Sequence, residues 1–96
     1  MKKMSDAEIK AALPGLAGWI LDNGKLHREY KFRDFKQAID FMVAAAPAID
    51  KMNHHPEWAN VYNRVTVDLS THDAGGITQK DFDLGVLLEG AAKKVP

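Results

Sequence analysis

The 96-residue chain carries 13 Lys plus Arg against 13 Asp plus Glu, four His, two Trp and no Cys, so its formal charge at pH 7 is zero. A chain of this length forms one domain and removes roughly two thirds of its unfolded surface from water, enough for a core without staples. Disulfides and thiolate-bound metals are excluded, and a balanced charge gives no general attraction for nucleic acid. The longest charge-free apolar run, residues 41–49, is far too short to span a membrane, and the opening MKKMSDAEIK lacks the apolar stretch of a signal peptide. A cytoplasmic protein without membrane contact is expected.

Ser5 followed three residues later by Glu8 is a capping box, which predicts a short helix from about residue 6 until Pro14 and Gly15 close it. Asp22-Asn23-Gly24 then separates two apolar runs. Asn-Gly tolerates positive φ and signals a tight hairpin, pairing residues 19–21 with 26–32. In the second strand Leu26, Arg28, Tyr30 and Phe32 share one face, while His27, Glu29 and Lys31 share the other, so His27 is expected to face solvent. From Asp34 the period changes to that of a helix, with Phe35, Ala38, Ile39, Met42, Ala46 and Ile49 on one stripe and Asp34 and Gln37 at its start. Pro47 lies inside this pattern, where it removes a backbone hydrogen bond, and a kink or break is expected.

A short strand at residues 58–61, a turn permitted by Asn63, and a strand with Val65, Val67 and Leu69 inward and Thr66, Asp68, Ser70 and His72 outward follow. After the glycine-rich segment HDAGG, Thr78 and Asp81 form a second capping box. The helix it opens has the stripe Ile77, Leu84, Leu88, Ala91, Ala92 and Val95. The order is α-β-β-α-β-β-α. Hairpins rather than crossovers imply an antiparallel sheet carrying its helices on one face, a two-layer α+β fold, with the other face or an edge strand available for subunit contact.

His54 and His55 are adjacent, followed by Pro56 and Trp58, between a helix end and a strand start, and His72 ends the last strand beside Gly75 and Gly76. Antiparallel pairing brings these segments toward one another, with Asp50, Asp73 and Asp81 as candidate carboxylates. An isolated surface His commonly has no role. A His-His-Pro cluster beside a Trp suits a pocket for a flat polar ligand, and imidazoles also ligate zinc, copper or iron. No His pair has the i, i+4 spacing or the H-E-x-x-H pattern that fixes a metal. The glycine pair lacks the lysine and spacing of a phosphate cradle and reads as a loop needing positive φ.

Residues 53–81, NHHPEWANVYNRVTVDLSTHDAGGITQKD, together with residues 18–35, GWILDNGKLHREYKFRDF, resemble the pterin-4a-carbinolamine dehydratase family over nearly the whole chain. The His-His-Pro, Tyr, Thr-His and Gly-x-Thr-x-x-Asp elements in fixed order are specific together. The resemblance implies a four-stranded antiparallel sheet with three helices on one face, and dimers or tetramers of the chain. It also implies dehydration of 4a-hydroxytetrahydrobiopterin, or a related 4a-hydroxytetrahydropterin, to the quinonoid dihydropterin without metal or organic cofactor. By the same likeness His54 and His72 act as acid and base and His55 binds and orients the pterin. Asp50 hydrogen-bonds an imidazole or the pterin, Asn53, Ser70, Thr71 and Asp73 flank the pocket, and Pro56 and Trp58 shape it. For Asp81 a capping role and a pocket role stand level. An aromatic amino acid hydroxylase is the implied source of substrate. Animal members also stabilise dimers of a homeodomain transcription factor, so a protein-binding, coactivator-like module is the alternative reading. Two departures from the pattern expected of a regular helix are Pro47, which bears on where Asp50 sits relative to His54, and Gly85 with Gly90, each of which weakens the last helix by ~1 kcal/mol relative to Ala.

Overall fold

Both capping boxes form. Ser5 N–H donates to Glu8 Oε1 at 2.8 Å and Glu8 N–H to Ser5 Oγ at 3.1 Å, starting α1 (Asp6–Ala12), in the computed structural model that describes residues 2–95. A 3₁₀ turn, Leu13–Gly15, closes this segment around Pro14. The chain continues through β1 (Ile20–Asp22), β2 (Lys25–Lys31), α2 (Phe35–Met52), β3 (Glu57–Val61), β4 (Arg64–Leu69), a second 3₁₀ turn (His72–Ala74) and α3 (Gln79–Lys93). The β1–β2 turn places Asn23 and Gly24 at φ of 52° and 75°, the left-handed pair that the Asn-Gly dipeptide accommodates.

The four strands lie in the order β1-β2-β4-β3, every neighbour antiparallel. The two hairpins join through β2 and β4, whose register runs from Leu26↔Leu69 to Lys31↔Arg64. This register puts Leu26, Tyr30, Val65, Val67 and Leu69 on one face. They are buried with Ala38, Phe41, Ala45 and Ile49 of α2 and Phe82, Leu84, Leu88 and Ala91 of α3 in one core. Phe41 is fully buried at the centre, its ring 4.8 Å from Tyr30 and 5.2 Å from Phe32; burying such a side chain stabilises by roughly 1.5–3 kcal/mol. Gly85 lets α3 press onto the first connection, because a Cβ there would stand 2.6 Å from Leu16 Cδ2.

Several expectations are corrected. Helix α2 continues through Pro47 as one element, and Pro47 lies on its exposed side. The buried stripe of α2 is Gln37, Ala38, Phe41, Ala45 and Ile49, rotated from the stripe expected, and Phe35 and Ala46 are exposed. Apolar residues occupy more than one side of this helix, so periodicity alone does not choose the side that meets the sheet. His27 lies on the open sheet face but is half-buried, its Nδ1 2.8 Å from Asp68 Oδ1 of the paired strand. In the β3–β4 turn it is Tyr62, not Asn63, that takes positive φ, at 50°. Asn63 instead bonds backbone: its Nδ2 donates to Phe32 O at 2.9 Å and its own carbonyl accepts from Phe32 N–H at 2.8 Å. Strand β4 ends at Leu69, so His72 belongs to the turn beyond it.

Candidate active site

The His pair is thrown clear of α2 by its C-cap. Asn53 adopts φ 52°, ψ 40° and donates its N–H to Asp50 O at 3.0 Å, a reversal that Asn tolerates better than most residues. His54 and His55 follow, with half-buried Pro56 leading into β3. The two imidazoles then take different partners. His55 Nε2 lies 2.9 Å from Asp50 Oδ1 in the last turn of α2, and both side chains are exposed. His54 turns inward, 11% exposed, and places Nε2 2.6 Å from Oδ1 of Asp81, whose side chain is 0% exposed.

Asp81 is held by the start of α3. Thr78 is the N-cap: its hydroxyl accepts from Lys80 N–H at 3.3 Å, while its own N–H donates to Asp81 Oδ2 at 2.9 Å. The third contributor is the segment leaving β4. Thr71 bridges Gly76 through N–H···O contacts of 2.9 and 3.3 Å, closing a small loop in which Gly75 takes φ 74°. From the neck of that loop Thr71 Oγ1 reaches Asp81 Oδ2 at 2.9 Å and Thr78 Oγ1 at 2.7 Å. One buried carboxylate therefore ties together the segment after α2, the segment after β4 and the first turn of α3. Three hydrogen bonds offset the cost of removing it from water.

Asp81 caps α3, one of the two roles weighed for it, and its free carboxylate oxygen faces the His54 imidazole. His72 is next along the chain from Thr71, but its side chain and that of Asp73 are fully exposed at the loop tip, His72 Nδ1 standing 4.0 Å from Asp73 Oδ1. Among the described residues no hydrogen bond joins His72 to His54 or His55. Ser70 is half-buried at the end of β4 and Asn53 is exposed. The half-buried Trp58 packs edge-on against Phe41, ring centroids 6.2 Å apart, on the core side of β3. Among the described residues no three His, Cys, Asp or Glu side chains gather as a metal-binding group. Sequence reasoning gave Thr78 no place in the site, although it stands both in a capping box and in the Gly-x-Thr-x-x-Asp element.

Whole-chain comparison decides the family. The family model described as Pterin 4 alpha carbinolamine dehydratase matches residues 2–89. The chain belongs to this family. A relative from Solibacter usitatus, provisionally named pterin-4-alpha-carbinolamine dehydratase, is 59% identical over 90 residues, covering 94% of this chain and 95% of its own. A relative of the same provisional name from Rhizobium leguminosarum bv. trifolii is 47% identical over 96 residues, with 98% and 95% covered. Among solved structures, a "transcriptional coactivator/pterin dehydratase" from Brucella melitensis superposes with a TM-score of 0.90 at 39% identity, covering 95% of this chain and 99% of its own. Family membership accords with the observed order of helices and strands, which the hydrophobic pattern independently implies.

Proposed function

We propose that this member of the family dehydrates a 4a-hydroxytetrahydropterin, the pterin-4a-carbinolamine, to the quinonoid dihydropterin. The observation that carries the reading is His54 clamped by a buried carboxylate beside the His55–Asp50 pair, with Thr71 delivering the His72 loop to the same carboxylate. In the reaction the lone pair on ring N5 forms the C4a=N5 bond as the C4a–O bond breaks. The departing oxygen takes a proton from one group and leaves as water, and the proton on N5 passes to another. Imidazole, with an unperturbed pKa near 6.5, serves either task at neutral pH, and positioned acid–base help is worth ~10²- to 10⁴-fold.

In this reading His54 and His72 are the acid–base pair, and His55, hydrogen-bonded to Asp50, binds and orients the pterin. Asn53, Ser70, Thr71 and Asp73 flank the ring, Pro56 and Trp58 shape its approach, and Asp81 holds His54. The measurement is the optical decay of freshly generated 4a-hydroxytetrahydropterin, wild type against His54→Ala and His72→Ala. Each variant is expected to lose ~10²-fold or more in kcat. No acceleration by the wild type rejects the activity.

A hydroxylase of aromatic amino acids supplying the substrate, a role in tetrahydrobiopterin recycling, and a cytoplasmic homodimer or homotetramer belong to the same proposal. Exposed Phe35 and Val43 on α2 and Val61 on edge strand β3 support assembly, which light scattering tests. The same outer side of α2 favours, as a second reading, a coactivator-like partner contact. A pull-down that recovers no partner from an otherwise active protein counts against it.

A further inference from the structure

The geometry points to Thr78 and Thr71 as positioning residues that act through Asp81 to hold His54 with its proton on Nε2, leaving Nδ1 as the nitrogen that meets substrate. The identity of that substrate rests on the dehydratase reading; the positioning does not. The direction of each hydrogen bond follows by elimination. A carboxylate only accepts, so Thr71 Oγ1, 2.9 Å from Asp81 Oδ2, is the donor there and its single proton is committed. In the 2.7 Å contact between the two hydroxyls Thr78 must then donate. Thr78 is free to do so, because in capping α3 its oxygen acts as acceptor for Lys80 N–H. Oδ2 also receives the Thr78 N–H at 2.9 Å. Two donors, the Thr71 hydroxyl and the Thr78 N–H, thus occupy Oδ2, and Oδ1 presents its lone pairs to His54 Nε2 at 2.6 Å, which therefore carries the hydrogen.

A cap alone does not account for this arrangement. Capping α3 requires the Thr78 hydroxyl to accept and the Asp81 carboxylate to reach back. It does not require Thr71, which lies outside the helix, has no place in the cap and still commits its hydroxyl to Asp81. The Thr71–Gly76 bridge fixes where that hydroxyl stands. Asp81 with both Oδ2 donors in place cannot rotate about its own axis without breaking two bonds, so Oδ1, and with it the imidazole plane, is held.

The test uses the full chain labelled with ¹⁵N-histidine, reading each neutral ring's tautomer from long-range ¹H–¹⁵N correlations, with His54→Gln giving the assignment. Wild-type His54 is expected as the Nε2–H tautomer. Thr71→Val, which strips no cap, is expected to show mixed tautomers at His54. It should also lose about 10- to 100-fold in kcat, the scale of a catalytic group displaced by about 1 Å. Thr71→Ser restores the hydroxyl and should restore both readouts, and Thr78→Ser should resemble wild type. A wild-type His54 protonated on Nδ1 overturns the inference. So does Thr71→Val with unchanged tautomer and kcat, or a Thr71→Ser that fails to recover. Should Thr71→Val not fold, the wild-type tautomer alone decides. Wild type that shows the Nε2–H tautomer but no dehydration sinks the dehydratase reading and leaves the positioning standing.

Discussion

Replacing Asp81 with Asn keeps the outline of the side chain and changes which of its atoms accept. Two donors, Thr71 Oγ1 and Thr78 N–H, converge on Oδ2 at 2.9 Å each, so the amide oxygen takes that side and the NH₂ faces His54. His54 must then offer a lone pair on Nε2, which moves its proton to Nδ1. Three bonds to a charged acceptor, each worth roughly 1.5–3 kcal/mol, become bonds between neutral groups worth about 1 kcal/mol, a loss of about 1.5–6 kcal/mol. At roughly 4–8 °C per kcal/mol for a domain of this size, the melting temperature should fall by at least about 6 °C, and a stability in the upper part of the ~5–15 kcal/mol range leaves the chain folded at 15 °C. Turnover at that temperature should fall by up to ~10⁴-fold, the scale on which a wrong tautomer costs a Ser-His-Asp triad. Circular-dichroism melts and steady-state dehydration measure the two effects. A melting point within about 3 °C of wild type refutes the energetic reasoning, and wild-type kcat in a folded Asp81→Asn chain refutes the orientation of the ring.

Three further outcomes are expected. Gly85→Ala should destabilise by ~1–2 kcal/mol in urea titration, because its Cβ meets Leu16 Cδ2 at 2.6 Å against a buried side chain, whereas Gly90→Ala, with nothing within 4 Å, should stabilise by up to ~1 kcal/mol; equal signs would sink the packing argument. Pro47→Ala should raise the urea midpoint, corresponding to ~1–3 kcal/mol, since it restores a backbone bond in a helix that already continues through that residue; a lowered midpoint contradicts the account of α2. Burial of Tyr30, reinforced by the Glu89 carboxylate that accepts its hydroxyl hydrogen, pushes the phenol's pKa well above the ordinary value. The unfolded phenol loses its proton near pH 10 while the folded one keeps it, so stability falls as pH rises past about 10. Absorbance at 295 nm should show the phenolate that Tyr30→Phe removes only as the chain unfolds; its appearance in folded protein refutes the shift.

The parts of the fold most legible in the sequence were those governed by neighbours along the chain. Ser5 with Glu8, Thr78 with Asp81, Asn23 with Gly24, and the alternation through Val65, Val67 and Leu69 each involve groups a few residues apart, and each formed. Choices made by tertiary packing were hidden. The side of α2 that meets the sheet depends on what Tyr30 and Trp58 present to Phe41, contacts the local pattern does not contain. Glu89 gathers the Tyr30 hydroxyl and, at 3.3 Å, Trp19 Nε1 from far along the chain, and nothing near Glu89 announces it. In the site, the resemblance pointed to His54, His55 and His72 and to a bond from Asp50 to an imidazole or the pterin, while the inward turn of His54 onto Asp81 and the full exposure of His72 appeared only in the folded chain. Thr78 stood in the Gly-x-Thr-x-x-Asp element and was given no place in the site, because a residue that explains a helix start leaves no remainder to suggest a second task.

That double duty has a consequence for how the protein ages and fails. The carboxylate that begins α3 is the one that grips His54, so fraying of that first turn and release of the imidazole are a single event. Amide exchange at Asp81, slow only while the turn is wound, would serve as a clock for how often the site disarms itself, and any change that loosens the helix start would be felt as lost turnover well before the rest of the chain melts.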